Sequence, residues 1–214
     1  MKKVFLFTTA FIVLNACNNN SKKENQTEST DSTQTEACYS FDEAQTQIAW
    51  TAYKFTEAVG VKGKFNSFEI EGTQKADNAI GVFEKSLFKI PVNSISTGDT
   101  SRDRKIQQFF FGTLNNTTSL SGKVDKIEGD GKKGKFFLTF TMNNMDSPLE
   151  MEYTLDSNTL TLSGLMIVDN WNAQAGIQKL NEECKQLHTG ADGKSVLWPE
   201  VKLEIQTVLN RNCN

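Results

Sequence analysis

The sequence predicts an all-β domain with two short helices, folded as an eight-stranded antiparallel β-barrel. Apolar and polar residues alternate with a period of two along much of residues 38–214, which is typical of half-buried strands. Turn-forming residues separate most of these segments, and this favours antiparallel neighbours. About eight such strands can close into a barrel, because closure removes exposed sheet edges. A barrel of this lipocalin-like size can hold a small ligand; a flat sandwich is the structural alternative.

The individual elements follow from hydrophobic spacing. Alternation is clearest where Leu149, Met151 and Tyr153 share one strand face and acidic residues lie on the other. Strands are predicted at residues 48–55, 61–71, 82–93, 120–128, 136–143, 149–156, 160–168 and 201–209. Residues 101–111 and 171–187 have helical spacing instead. Several strands are apolar on both faces, so one face can fill the barrel while the other packs under the helices.

The N-terminal residues predict export and lipidation. Lysines precede a short apolar run, as in a secretory signal peptide spanning residues 1–16, and the run is too short to cross a bilayer. Leu14-Asn15-Ala16-Cys17 resembles a bacterial lipobox, in which the cysteine receives the lipid; an ordinary signal peptide with an accidental cysteine is the alternative. Residues 17–37 lack aromatic and large aliphatic side chains, which predicts a disordered tether.

The predicted signal peptide and lipobox indicate a location in the cell envelope, where the lipid anchor would contact a membrane. Asn18 follows the lipidated cysteine, whereas an aspartate there would favour the inner membrane by resemblance to enterobacterial lipoproteins. We therefore expect the outer membrane. The formal net charge of −3, with lysines and glutamates interspersed, gives no electrostatic case for nucleic-acid binding. The oligomeric state is left open.

Three cysteines remain beyond Cys17, and an oxidising compartment favours one disulfide and one free thiol. The favoured pair is Cys38–Cys213, because the two residues bracket a domain whose first and last strands would be neighbours. Cys38–Cys184 and Cys184–Cys213 are alternatives. The absence of a Cys-x-x-Cys motif argues against a redox or zinc site.

Two polar pairs are candidates for chemistry. Cys184 and His188 would share a helix face, as a nucleophile pair or two metal ligands need, but further ligands or an orienting group are not evident. We expect a buried or disulfide-bonded Cys184, a cationic His188 at a helix C-terminus, and neither catalysis, a metal nor a cofactor. Arg102 and Asp103 either grip a ligand head group at a polar barrel mouth or cap a helix.

Motifs in the first half of the domain resemble those of the YceI-like family. They are Ile48-x-Trp50, Val61-Lys62-Gly63-Lys64-Phe65, Ile90-Pro91-Val92-Asn93-Ser94-Ile95-Ser96-Thr97-Gly98, Arg102-Asp103 and Phe109-Phe110-Phe111. The resemblance covers roughly residues 47–209. The sequence departs from the family pattern at Gly112-Thr113-Leu114-Asn115, and the helix at 171–187 resembles a subgroup elaboration.

The resemblance implies a lipocalin-like barrel that binds an isoprenoid chain, such as a polyprenyl lipid or a quinone. An isoprenoid tail has no hydrogen-bonding groups and needs a dry tube, in which each buried methylene contributes about 0.8 kcal/mol. The residues expected to line the barrel are Trp50, Phe65, Phe88, Ile90, Phe109, Phe110, Phe136, Leu138, Phe140, Met151, Tyr153, Leu162, Met166, Leu203 and Ile205. In the alternative, these side chains fill the core of a non-catalytic envelope scaffold protein.

Overall fold

Long antiparallel strands dominate the computed structural model, which describes residues 38–211. The strands are β1 (Tyr39–Ser40), β2 (Thr46–Lys54), β3 (Val59–Phe65), β4 (Glu69–Glu71), β5 (Leu87–Pro91), β6 (Ile95–Ser96), β7 (Ser119–Gly129), β8 (Lys133–Met142), β9 (Met145–Asp156), β10 (Thr159–Ile167), β11 (Leu197–Val208) and β12 (Asn210–Arg211). The helices are α1 (Thr100–Lys105), a π-helical turn (Ile106–Phe110), α2 (Gln174–Glu183), α3 (Lys185–His188) and 3₁₀ turns at Glu43–Gln45, Gly81–Phe83, Val92–Ser94, Phe111–Thr113 and Val168–Trp171. The signal peptide, Cys17 and the tether predicted at 1–37 lie outside the described residues.

Ten of the described strands form one curled antiparallel sheet of lipocalin-like, half-barrel form, in the order β4-β5-β7-β8-β9-β10-β11-β2-β3-β6. β5 pairs with β7, while β6 pairs with β3 on the far side of the sheet. Only the 3₁₀ turn Val92–Ser94 separates β5 from β6. The segment 87–96 therefore contacts both sides of the curled sheet and brings them together.

The predicted count of eight strands is not confirmed. The strand expected at 61–71 is divided into β3 and β4, and the one expected at 82–93 begins with a 3₁₀ turn. Lys85 has a positive φ of 63°, which an extended strand does not allow, and β5 begins only after it. Local turns inside these apolar segments thus interrupt strands that hydrophobic alternation alone predicts as continuous.

The β8–β9 hairpin shows how the sequence fixes the register. Asn143 and Asn144 both have a φ of 56°, the left-handed conformation that a two-residue hairpin turn needs and asparagine tolerates. The turn places Leu149 opposite Leu138 and Met151 opposite Phe136, with all four side chains buried. Acidic residues of β9 alternate with the buried ones and face solvent. The apolar face of the hairpin is therefore directed into the curl.

The helices cover part of the interior. α1 begins after Asp99, whose carboxylate accepts hydrogen bonds from two backbone N–H groups of the first turn. α2 packs on the π-helical turn, where a Cβ on Gly176 would lie 2.8 Å from the ring of Phe110. Trp171 is fully buried and its Nε1 donates to the carbonyl of Phe140 at 2.7 Å. This bond fixes the start of the helical segment against β8.

Both predicted helices are shorter than expected. The α-helical part of 101–111 ends at Lys105 and continues as π and 3₁₀ turns, which place Phe110 and Phe111 in the core. The helix expected at 171–187 begins only at Gln174, because Asn172, with a positive φ of 52°, ends the preceding 3₁₀ turn. It also breaks at Cys184, between α2 and α3.

The two chain ends of the described domain lie side by side, since Tyr39 of β1 pairs with Arg211 of β12. Cys38 is disulfide-bonded, whereas Cys184 is a free, buried thiol. The alternatives that pair Cys184 with Cys38 or Cys213 are therefore wrong. Cys213, the favoured partner of Cys38, lies outside the described residues. Within residues 38–211 no helix has the length and apolar character needed to span a bilayer.

Candidate ligand-binding cavity

The curled sheet surrounds an internal cavity of about 220 Å³ whose exposed wall is apolar. Side chains from the strands form most of the wall. Ile106, Phe110, Phe111, Ile177 and Leu180 add the contribution of the helical segments. An apolar cavity of roughly 150 Å³ stays dry and can bind a benzene-sized molecule, so this larger one can accept a hydrocarbon ligand.

Most of the residues expected to line the barrel lie on this wall. They are Trp50, Phe65, Phe88, Ile90, Phe110, Phe136, Leu138, Phe140, Met151, Leu162, Met166, Leu203 and Ile205. Phe109 and Tyr153 do not reach it. Tyr153 is buried, but its ring packs edge-on against Phe136 with 5.5 Å between centroids, behind the cavity wall. Phe109 is half-buried within the π-helical turn, because its neighbour Phe110 occupies the inward position.

Two aromatic rings of the wall lie flat against glycines on neighbouring strands. Trp50 is the cross-strand partner of Gly63, and Phe88 is that of Gly122. A Cβ on Gly63 would overlap Cζ2 of Trp50, and one on Gly122 would lie 3.0 Å from Cε1 of Phe88. The glycines therefore let the rings lie back on the sheet instead of projecting into the cavity. A glycine inside a predicted strand is the sequence signal for such a close approach.

A second cavity of about 190 Å³ adjoins the first, and we call it the vestibule. Five residues line both cavities, namely Trp50, Ala52, Ile106, Leu180 and Leu197. The residues that line only the vestibule are Tyr53, Lys54, Val61, Asp99, Ser101, Arg102, Lys105, Cys184, Leu187 and His188. The vestibule is thus the polar neighbour of an apolar chamber. Sequence reasoning did not identify Lys54 and Lys105 as site residues, because only the tertiary fold brings them together.

Arg102 and Asp103, predicted as a polar pair, have separate roles. Arg102 lines the vestibule, with a guanidinium nitrogen 3.9 Å from the Asp99 carboxylate at exposed positions. Asp103 accepts hydrogen bonds from the backbone N–H and hydroxyl of Thr97, at 2.8 and 2.6 Å, and so links α1 to the residue that follows β6. Asp99, not Asp103, caps α1; the backbone N–H groups of Arg102 and Ser101 lower its pKa.

Cys184 and His188 both line the vestibule, and the His188 backbone N–H donates to the Cys184 carbonyl at 3.0 Å, but no hydrogen bond joins their side chains in the described part of the chain. Burial raises the pKa of the Cys184 thiol. Burial, followed by the charges of Lys54 and Lys105, lowers the pKa of His188 to about 4. His188 is the last residue of α3, as expected, but its low pKa disfavours the expected cation, because desolvation and two neighbouring cations favour the neutral ring. A thiol with a raised pKa and no hydrogen bond to the imidazole is not activated as a nucleophile.

Other polar groups lie near the two cavities. The Nδ1 atom of His188 lies 3.0 Å from the Asn181 side-chain oxygen, which also accepts from the Ser195 hydroxyl. The indole Nε1 of Trp50 is buried and has no hydrogen-bond partner among residues 38–211. Within the same residues, no group of three or more His, Cys, Asp and Glu side chains is placed to hold a metal ion.

A curled antiparallel sheet around an apolar cavity defines the class as lipocalin-like. The model of the YceI-like domain matches residues 39–209, and the chain belongs to this family. No match to a curated protein sequence was found.

Solved structures share the fold at low identity. The polyisoprenoid binding domain from Saccharophagus degradans, implicated in plant cell wall breakdown, has 12% identity and a TM-score of 0.56 over 83% of this chain and 99% of its own. BcnA from Burkholderia cenocepacia has 14% identity and a TM-score of 0.53, over 79% and 99%. The Campylobacter jejuni YceI protein has 17% identity and a TM-score of 0.51, over 75% and 90%.

Proposed function

We propose that this protein binds an apolar isoprenoid-type lipid, a polyprenyl chain or a quinone tail, in the internal cavity. The observation that carries the proposal is the absence of polar surface on the cavity wall formed by the described residues. A sugar, nucleotide or peptide would lose its hydrogen bonds to water there without replacement, at a cost of roughly 1–3 kcal/mol per buried polar group. A hydrocarbon tail has no such groups to desolvate.

The energetics favour an occupied cavity over an empty one. At about 24 cal/mol per Å³, an unfilled space of 220 Å³ costs about 5 kcal/mol of stability. A buried isoprene unit of five carbons contributes roughly 4 kcal/mol. Association costs about 4–15 kcal/mol, so a tail of several units is needed for net affinity. The cavity also counts against the alternative of a barrel filled by its own side chains.

The family supports the same ligand class, since one structural relative is described as a polyisoprenoid binding domain. The geometry supports a closed barrel around the tail. If 87–96 is counted as one strand and β4 as an edge addition, eight strands surround the cavity. We propose a carrier or sensor without catalytic activity, because the vestibule pair Cys184 and His188 lacks an activated thiol.

A blocked cavity tests the proposal. Leu203→Trp places an indole in the cavity wall, whereas Leu165→Trp adds the same ring at a side chain that is 56% exposed. We expect the full-length protein and the Leu165→Trp variant to bind farnesol in a calorimetric titration and Leu203→Trp to lose at least tenfold in affinity. Thermal unfolding of each variant reports whether it folds, and Ile205→Trp is a second blocked variant. Equal farnesol affinity in all folded variants, or no affinity in the parent protein, would refute the proposal.

We also propose that lipid on Cys17 anchors the domain to the outer membrane, from which a hydrophobic ligand can be supplied. The support is the lipobox Leu14-Asn15-Ala16-Cys17, followed by a tether without large apolar residues. Metabolic labelling with an alkyne fatty acid should mark the protein, and Cys17→Ser should abolish the label. Retention of the label on that variant, or its absence from the parent protein, would contradict the anchor. Fractionation of the labelled envelope then tests the assignment to the outer membrane.

A further inference from the structure

We propose that four aromatic side chains close the internal cavity at the end away from the helices and set the longest tail that the protein accepts. We call this cluster the aromatic floor, and its members are Phe41, Phe68, Phe83 and Phe136. The inference rests on the proposed tail binding and goes beyond it, because it assigns the residues that select among tails of one chemical class by length.

The strand directions place the aromatic floor at the end of the cavity away from the helices. β2 ends at Lys54, whose ammonium donates to the carbonyl of Leu187 in α3 at 2.9 Å. β8 ends just before Asn143, whose side chain donates to the segment before α2. Phe41 precedes β2, and Phe136 is the fourth residue of β8, so both lie toward the opposite ends of these strands.

The four rings pack edge to face in a continuous row. The ring centroids are 6.4 Å apart for Phe41 and Phe68, 5.8 Å for Phe41 and Phe83, and 6.3 Å for Phe83 and Phe136. All four residues line the cavity. Phe41 and Phe68 are also partly exposed, so here the floor is one ring thick and separates the cavity from water. Removal of either ring would therefore open the cavity at its far end.

Hydrogen bonds hold the floor in place. Tyr39 and Ala76 exchange two backbone bonds, of 2.8 and 3.1 Å, which join the segment that carries Phe41 to the segment that carries Phe83. The hydroxyl of Ser86 donates to the Phe83 carbonyl at 2.5 Å and fixes the turn from which that ring projects. A stop that selects by length has to resist the end of the tail, and these bonds give the floor that rigidity.

The polar groups near this end are already satisfied. Thr46 and Thr207 carry the only hydroxyl groups on the cavity wall of the described residues, and their oxygens lie 2.7 Å apart. The Thr46 hydroxyl donates to the carbonyl of Asp42 at 2.9 Å, which leaves Thr207 as the donor of the shared bond. Neither hydrogen is free for a ligand, so the group that reaches the floor is the hydrocarbon terminus of the tail.

The volume of the cavity gives the expected tail length. A cavity of roughly 150 Å³ holds the six carbons of benzene, so one of about 220 Å³ holds about nine carbons, close to two isoprene units. Trp50, Ile106 and Leu180, at the junction with the vestibule, provide apolar surface for a third unit. We therefore expect affinity to rise up to a tail of three units and to level off beyond it.

A series of prenols measures this limit. We would titrate the full-length protein calorimetrically with geraniol, farnesol and geranylgeraniol, which have two, three and four isoprene units. In the parent protein, farnesol should bind at least tenfold tighter than geraniol, and geranylgeraniol should bind within threefold of farnesol. Phe41→Ala removes a six-carbon ring, which makes room for one more five-carbon unit, so geranylgeraniol should bind at least tenfold tighter than farnesol. Phe68→Ala is a second variant with the same expectation, and thermal unfolding reports whether each variant folds.

Matched variants separate the position of a ring from the volume that its removal adds. Phe88→Ala removes the same ring from the side wall, where Phe88 packs on Phe140 with 5.8 Å between centroids, and should keep the parent ratio of the farnesol and geranylgeraniol affinities. Phe109→Ala removes a half-buried ring that does not line the cavity and should change neither affinity nor ratio. Ile48→Phe enlarges a wall residue two positions from Thr46 and should abolish the advantage of farnesol over geraniol.

The outcomes distinguish the stop from the proposed function. If the affinity of the parent protein rises another tenfold from farnesol to geranylgeraniol, the floor is not a stop, although the cavity binds tails. The same conclusion follows if the folded floor variants keep the parent ratio, if Phe88→Ala changes it as much as they do, or if Ile48→Phe keeps the farnesol advantage. Failure of all three prenols to bind the folded parent protein refutes tail binding and, with it, the inference built on it.

Discussion

The contact between Trp50 and Gly63 gives the sharpest test of how the cavity is kept open. The two residues are opposite each other on β2 and β3, and the indole covers the position where a Cβ would be. In Gly63→Ala the new methyl group overlaps Cε2 and Cζ2 of the ring, which must move. The sheet backbone lies behind the ring and the cavity lies in front of it, so we expect the ring to move into the cavity.

The size of the effect follows from packing. Forcing an extra carbon into a well-packed site costs about 1–3 kcal/mol, and each kcal/mol lowers the melting temperature of a domain this size by roughly 2–4 °C. A displaced indole also takes space from the ligand. Exclusion of only two methylenes of the tail costs about 1.6 kcal/mol, slightly more than tenfold in affinity.

Gly60→Ala is the matched control, on the same strand. Its Cβ would lie 3.0 Å from the Thr51 Cγ2 atom, a side-chain methyl that can adjust, and no cavity residue is displaced. Denaturant unfolding and farnesol titration should show losses for Gly63→Ala in both stability and affinity, with small changes for Gly60→Ala. If the two variants match in both measurements, the glycine does not hold the indole off the cavity and the reasoning is wrong.

Three further predictions concern residues around the cavity. His188, with a pKa of about 4 against 6.5 unfolded, stays neutral in the fold while the unfolded chain takes up a proton, so stability should fall as the pH drops from 6.5 to 4. His188→Gln should flatten chemical-unfolding stability over that interval; an unchanged slope would contradict the assignment. Asn143→Ala should lower the free energy of unfolding by about 1–3 kcal/mol more than Asn144→Ala. Both residues have a positive φ, but only the Asn143 side chain donates to two backbone carbonyls of the segment before α2. Equal losses would show that these bonds contribute nothing. Asp103→Ala should cost roughly 1–2 kcal/mol and Asp103→Asn less, since an amide oxygen can still accept from Thr97; a loss of farnesol affinity in a stable Asp103→Asn protein would instead indicate a ligand contact.

The alternation of apolar and polar residues was sufficient to place the long strands, because each of these strands buries one apolar face. β8, β9 and β10 begin within four residues of the predicted positions. Alternation failed at 82–93, where Ser86 is fully buried and its hydroxyl bonds the Phe83 carbonyl within a local turn. A side-chain-to-backbone bond of this kind competes with strand pairing, and apolar periodicity does not report it.

The sequence could indicate the cavity wall but not the cavity. Val201, Leu203 and Ile205 alternate in the same way whether they fill a core or face an open space. Glycines opposite aromatic rings decide between these outcomes, and they become informative only when the register is known. The vestibule could not be predicted from the sequence. The end of β2, the first turn of α1 and the break at Cys184 form it, and these segments are distant in the sequence.

The unfilled cavity is the energetic feature that links this fold to ligand binding. The cost of the empty cavity, about 5 kcal/mol, is comparable to the whole net stability of many domains, which is about 5–15 kcal/mol. Small residues such as Ala52, Val124 and Val201 lie on its wall, where larger apolar side chains could fill it. A sequence that served only as a scaffold would gain stability from such substitutions. The combination of small wall residues with glycines beneath aromatic rings instead keeps the interior open, which is the arrangement that a buried hydrocarbon tail requires.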